Sequence, residues 1–370
     1  MDEVKATQTE KMTAEAVLQY GGQAVIEGVM MRSKHYFAVA CRRPDGQIIV
    51  QREEVDKSII GKLKWLNKPF LRGTLALIDA MALGSRALSF ASNVQLQYEQ
   101  ERSGQTAVVV SPTEKAREEI RDSAASFANG IPLVVSENSS KNGKINDIAI
   151  GSSLAFSLVF GVVLFVLVPT LLTDKLGKYL PVIMADASHR DLSRNISDGL
   201  IKMVIFFGYI SLISCMKTIQ RVFQYHGAEH KAINTLEAGL PLDREHALAA
   251  SRIHPRCGTS FIFIVLVVNL IVFALLPRPP FWLLRFPLHL AVIPLVAGIA
   301  YEIIKFAGKF RRNPLVMAVF APGMATQYLT TRQPDVSQIE VALAALYSVM
   351  EAEGHLPASA QADPPEPVTT

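Results

Sequence analysis

A mainly α-helical, polytopic membrane protein is predicted for this 370-residue chain, with about four transmembrane helices, a small N-terminal cytoplasmic β-sheet and an interfacial helix. Three observations predict it. Half of the residues are hydrophobic and the mean hydropathy is +0.26, which is high for a soluble chain. Ile148–Leu172 contains no charged side chain, and at ~1.5 Å rise per residue it exceeds the ~30 Å hydrocarbon thickness of a bilayer. The segment from Tyr20 to Val55 has a different period, alternating apolar and polar residues as a half-buried strand does.

The first 19 residues form a polar arm whose acidic residues do not fit a cleavable signal peptide. In YGGQAVIEGVMMRSKHYFAVACRRPDGQIIVQREEV the alternation runs around Pro44-Asp45-Gly46, a strong turn signal, so a small sheet is expected at the membrane face. Phe70–Ser92 is helical in period and largely apolar, and Arg72, Asp79, Arg86 and Asn93 recur every seven residues as one narrow polar stripe. That stripe favours a helix lying in the interface or under the bundle over a full span. Residues 20–102 therefore read as one cytoplasmic α+β region. Residues 103–147 lack apolar mass and read as a flexible insert or linker, apart from Ser111-Pro112-Thr113-Glu114, whose capping-box spacing can start a short helix.

Residues 148–335 read as the membrane domain. After Ile148–Leu172 the second span is Ile196–Met216, with Asp198 and Lys202 near its start, where both can stay in the headgroup region. Thr259–Leu276 is the third, interrupted by Asn269. Phe281–Lys305 is the fourth and irregular, broken by Arg285, Pro287, His289, Pro294 and Gly298, as is tolerated where a helix lines protein or water. Residues 217–257 form the loop between the second and third spans. Asp335–Glu353 has Ile339, Leu343, Leu346 and Met350 on one face and predicts a cytoplasmic helix over 336–353, followed by a disordered tail at 354–370.

Lysine and arginine are concentrated in Lys217–Arg256 and Lys305–Arg332, whereas Thr173–Asn195 balances its bases with Asp174, Asp186 and Asp191. The bias predicts a multi-pass protein of the inner (plasma) membrane with both termini cytoplasmic. Cys41, Cys215 and Cys257 then face a reducing compartment, so no disulfide is expected. A net charge of +4 suits a membrane surface. The expected partners are the bilayer and other membrane proteins, not nucleic acid.

Residues 225–231, YHGAEHK, carry the most chemistry. On a helix continuing past the second span, His226 and His230 lie one turn apart on one face with Glu229 beside them. H-x-x-E-H is the inverted zinc-protease spacing, in which two imidazoles hold the metal and the glutamate acts as base. The same loop ends in HPRCGTSF, so His254 and Cys257 reach the third span from the side where HGAEH leaves the second, and both are competent metal ligands. Glu302 falls near the cytoplasmic end of the fourth span, where an ionisable group needs a partner. Geometry favours it as third ligand, with pairing to Lys305 as the alternative. In GGQAVIEGVMMR, glycines 21, 22 and 28 suggest close backbone approach. Gln23, Glu27 and Arg32 are polar residues in an otherwise apolar stretch, fit either to form a lid over the metal or, for Glu27 and Arg32, to pair within the sheet.

GGQAVIEGVMMR, YHGAEHKAINTLEAG, HPRCGTSF and LTTRQPDVSQIEVA together resemble the YqhQ family of bacterial membrane proteins, a domain of unknown function labelled a predicted metal-dependent enzyme. The likeness covers Tyr20–Ser92 and roughly 146–353. It implies a membrane location and a metal carried by His226, Glu229, His230, His254 and Cys257, and no known substrate.

Two functions are consistent with these residues. The first is a metal-dependent hydrolase at the cytoplasmic face, with a divalent ion, zinc by its N/S donors, held by His226 and His230 and completed by Glu302, His254 or Cys257. Glu229 is its base, and a membrane peptide or lipid ester its substrate. The second is a non-enzymatic membrane adaptor with a structural zinc closed by His226, His230, His254 and Cys257. Haem ligation is disfavoured because both histidines share one helix face.

Overall fold

The structure, a computed structural model, describes residues 20–55, 68, 72–103, 133–135, 144–176, 190–276, 282–310 and 313–355. The N-terminal arm, the tail beyond 355, the capping box at 111–114 and the middle of the loop after the first span lie outside them.

Strands β1 (Gly21–Val25), β2 (Gly28–Arg32), β3 (Tyr36–Arg42) and β4 (Ile48–Glu54) form an antiparallel meander, as the alternation predicts. The expected turn at Pro44–Gly46 closes β3 onto β4, and Gly46 takes φ 92°, a conformation glycine adopts without strain. Within the 103–147 stretch, Leu133–Val135 is a strand, β5, pairing parallel with Ile48–Val50. That stretch therefore contributes to the sheet as well as connecting its neighbours.

Each face of the sheet carries its own core. Val29, Met31, Ala38, Ala40, Ile48 and Val50 point one way; Met30, Phe37, Val39, Cys41 and Ile49 point the other. The second face packs on Leu83, Ala87, Ala91 and Val94 of α1 (Arg72–Arg102). The first face packs on α5 (Lys217–Glu237), α6 (Arg244–Ala249) and α11 (Val336–Ala352). The C-terminal helix thus closes the N-terminal sheet. Its boundaries match the sequence prediction: Asp335 accepts the Gln338 backbone N–H at 2.9 Å and Gln338 reaches back to the Asp335 N–H at 3.0 Å, a complete capping box. Arg42 binds Glu340 at 2.7 Å and Arg52 binds Glu351 at 2.9 Å, tying the helix to the strands. Asp335→Ala is expected to cost about 1 kcal/mol, measurable as a lower thermal midpoint of the detergent-purified protein.

The remaining helices are α2 (Lys144–Val162), α3 (Val168–Leu176), α4 (Arg190–Ile213), α7 (Gly258–Leu275), α8 (Trp282–Lys309), α9 (Pro314–Ala325) and the single turn α10 (Gln327–Thr330). A π-turn at Val163–Leu167 joins α2 to α3 just before Pro169, whose missing N–H such irregularity accommodates. Among the described residues five helices are long and apolar enough to cross a membrane: Arg72–Arg102, Ala155–Leu176, Leu192–Ile213, Gly258–Leu275 and Leu290–Ala307. Four are the predicted spans, and the fifth is the helix expected to lie in the interface.

Placement explains why α1 satisfies both descriptions. Its first turn lies against the apolar middle of α8: a Cβ on Gly73 would stand 2.7 Å from Tyr301 and 2.8 Å from the Ala297 carbonyl, so only glycine permits the approach. Its second half lies on the sheet. The charged stripe fastens the first half of the helix, for Arg72 chelates Glu302 at 2.5–2.6 Å, Asp79 pairs with Arg32 at 2.8 Å and Arg86 pairs with Glu53. Glu302 therefore has a cation from α1. Arg72→Ala removes both guanidinium hydrogen bonds to that carboxylate. The variant is expected to lose several degrees of thermal midpoint, and Arg72→Ala/Glu302→Gln to recover most of it.

Asp198 and Lys202, near the start of the second span, are buried and pair with each other at 2.8 Å, with Thr170 near Asp198 and the ammonium over Phe273, because one face of α4 turns them toward α3 and α7. One expectation about this span needs correction: it does not continue unbroken into HGAEH. The chain breaks at Ser214–Met216, where Met216 is extended and Gln220 and Arg332 donate to the Ser214 carbonyl at 3.1 and 3.3 Å. The break lets α5 leave the span and lie on the sheet.

Candidate metal centre

The centre is assembled on α5. Its polar side chains hold an irregular segment in place by satisfying backbone carbonyls that no ladder or helix serves. Lys231 donates to Leu248 and Ala250 at 2.6 and 2.5 Å, and Asn234 donates to Ser251 and Ile253 at 2.7 and 3.1 Å. Gln327 then clamps the next residue: its oxygen accepts the His254 N–H at 2.8 Å while its nitrogen donates to the His254 carbonyl at 2.7 Å and to Ser260 at 2.8 Å. On the other side of α5, Gly227 lets the 332 backbone approach closely, since a Cβ there would sit 2.1 Å from the Arg332 oxygen.

These constraints deliver one carbonyl to each imidazole. His226 Nδ1 meets the Thr330 oxygen at 2.8 Å and His230 Nδ1 meets the Arg252 oxygen at 2.6 Å. A ring nitrogen facing a carbonyl must carry the proton, so both Nε2 atoms present lone pairs. His226 Nε2 lies 3.1 Å from Cys257 Sγ, the rings are 4.4 Å apart, and the donor atoms of His226, His230 and Cys257 all fall within 4.8 Å of one another. Ligand atoms around one tetrahedral zinc are separated by about 3.5 Å given its bond lengths, so the three donors fit a single small ion with slight adjustment. Cys257 caps α7, accepting the Thr259 N–H at 3.4 Å. His230 and Cys257 are buried and His226 is half-buried, which leaves the cluster approachable from the His226 side.

Glu229 projects from the same turn between α5 and β1. One carboxylate oxygen is 3.5 Å from His230 Nε2, and the side chain packs against Gly22. Gly22 is required there, because a Cβ would stand 2.9 Å from Glu229 Cγ and 2.4 Å from the Met30 oxygen. Burial raises the Glu229 carboxyl above its usual range, against the opposing pull of His226 and His254.

The other predicted residues go elsewhere. Glu302, favoured as third ligand, is held by Arg72; the third donor of the cluster is Cys257. His254 approaches His230, with ring centroids 5.7 Å apart, but stays outside the three-donor set and turns Nε2 to Glu237 at 3.3 Å. Burial pushes the His254 imidazole down and would push Glu237 up, yet the hydrogen bond from His254 and the Arg256 guanidinium hold Glu237 at about 2. Glu27 and Arg32 do not pair with each other: Glu27 takes Arg221 and, at 3.2 Å, the Tyr225 hydroxyl. Gln23 lies on the α1 side against the position of Gly84, away from the histidines. None of the three covers the cluster. Sequence reading missed Glu237, although it stands two turns along α5 from His230. It also missed the Thr330 and Arg252 carbonyls, which leave no mark in residue type.

Residues 68–352 match a family described as "Protein of unknown function (DUF1385)". The chain is also 34% identical over 338 residues, 90% of its own length and 93% of the relative's, to "Uncharacterized protein YqhQ" of Bacillus subtilis (strain 168). The chain belongs to this family. No solved structure matches it. The HGAEH and HPRC segments that make the cluster fall within the matched range.

Proposed function

We propose that the protein is a metal-dependent hydrolase at the cytoplasmic face of the plasma membrane, acting on a membrane peptide or lipid, with zinc held by His226, His230 and Cys257. The observation that carries the reading is the pair of carbonyl-bound imidazoles that each bring a ring nitrogen, with Cys257 Sγ, to within 4.8 Å of one another, with a buried carboxylate beside them. When bound there, zinc supplies Lewis-acid polarisation and acidifies water. The chain supplies the rest. The Thr330 and Arg252 carbonyls hold the tautomers, Glu229 takes the proton from water and returns it to the leaving group, and burial, by raising the affinity of that carboxylate for a proton, suits it to the task. The engagement of His254 with Glu237 favours three protein ligands and an open fourth position over the closed site of an adaptor. The test is zinc analysis of the detergent-purified protein, wild type beside His226→Ala/His230→Ala, followed by Glu229→Gln.

A further inference from the structure

β1 is the outermost strand, and its register with β2 sets which backbone groups face away from the sheet. Val25 pairs with Gly28 across the two-residue turn, followed by Ala24 with Val29, Gln23 with Met30, Gly22 with Met31 and Gly21 with Arg32. Bonded and non-bonded pairs alternate in an antiparallel ladder, starting from the bonded pair that closes a two-residue turn. Gly22 and Ala24 are therefore non-bonded positions, and their N–H and C=O groups point outward. Among the described residues no backbone group outside the ladder bonds Gly22 or Ala24, and Gly22 is exposed.

We propose that this edge is the substrate subsite, binding an extended peptide by strand addition beside Glu229, so that the enzyme is a peptidase; the inference rests on the hydrolase reading above. An added strand lies ~4.8 Å from β1, and Glu229, which packs against Gly22 and lies 3.5 Å from His230 Nε2, puts the edge one carboxylate away from the metal ligands. The outward Gly22 carbonyl and the Ala24 N–H and C=O form an alternating donor and acceptor row that a peptide main chain matches and an acyl ester does not. In the reaction water adds to the scissile carbonyl carbon, the C–N bond breaks, and Glu229 passes the water proton to the departing amine.

The test uses zinc-loaded full-length protein in detergent and two probes, acetohydroxamate and tri-leucine hydroxamate. Tri-leucine hydroxamate is expected to bind more tightly, and Ala24→Pro, which deletes one outward N–H and leaves the ladder intact, to weaken it about tenfold while leaving acetohydroxamate and zinc content unchanged. Ala24→Val, which keeps the N–H, should bind like wild type. Because proline can perturb the strand, tri-leucine hydroxamates N-methylated at alternate amides give a second measure on wild-type protein, and only one phase should lose affinity. Equal binding of the two parent probes, or equal binding of the methylated pair, overturns the edge subsite. So does displacement of acetohydroxamate by lysophosphatidylglycerol but not by tri-leucine, which points to a lipid substrate. Failure of wild type to bind acetohydroxamate at all overturns the hydrolase reading itself.

Discussion

Detergent-purified protein is expected to carry about one equivalent of zinc, and His226→Ala/His230→Ala to carry none. Removing two of three protein ligands leaves one thiolate, which cannot retain the ion against a chelator. The single variants are informative in a different way. Cys257→Ser keeps the size of the third side chain and exchanges sulfur for a poorer zinc donor, so affinity should fall by orders of magnitude with the fold intact. His254→Ala should keep full zinc content, since that ring is turned to Glu237. Loss of zinc in His254→Ala would place that ring in the coordination shell and favour the closed adaptor site. Absence of zinc from the wild type would leave the three donors as a polar network and remove the basis for a hydrolase.

Why some of this was legible in sequence and some was not follows from the range of each interaction. The amphipathic face of residues 336–353, the alternation of β2 to β4 and the one-turn spacing of His226 and His230 are local, and local patterns survive without a partner in view. Cys257 was visible as a candidate for a similar reason, because a helix start next to Pro255 and Gly258 is a local signal. Glu302 was misplaced because its partner, Arg72, lies 230 residues away in sequence. The seven-residue stripe on α1 was read correctly as polar, but its targets, Arg32, Glu53 and Glu302, belong to other elements. The break at Ser214–Met216 was hidden because nothing in ISCMK forbids a helix; the Ser214 carbonyl there is held by Gln220 from the start of α5 and by Arg332, 118 residues away in sequence. The Glu229 environment was half-legible. Gly22 signalled close approach, whereas what approaches it is set by the way α5 packs across β1.

Glu229→Gln is expected to retain zinc and fold while losing hydrolytic turnover by roughly 10²–10⁴-fold, the usual contribution of a positioned general base. The substitution preserves volume, so the packing of the side chain against Gly22 survives. What is lost is the capacity to hold a proton. Removing a buried carboxylate should, if anything, stabilise the fold, because burial disfavours its charged form. A thermal midpoint equal to or above wild type, zinc retained, and turnover abolished would together assign Glu229 to catalysis. Full turnover in the zinc-bound variant would overturn the mechanism, and a lower midpoint with lost zinc would make Glu229 a structural support of His230.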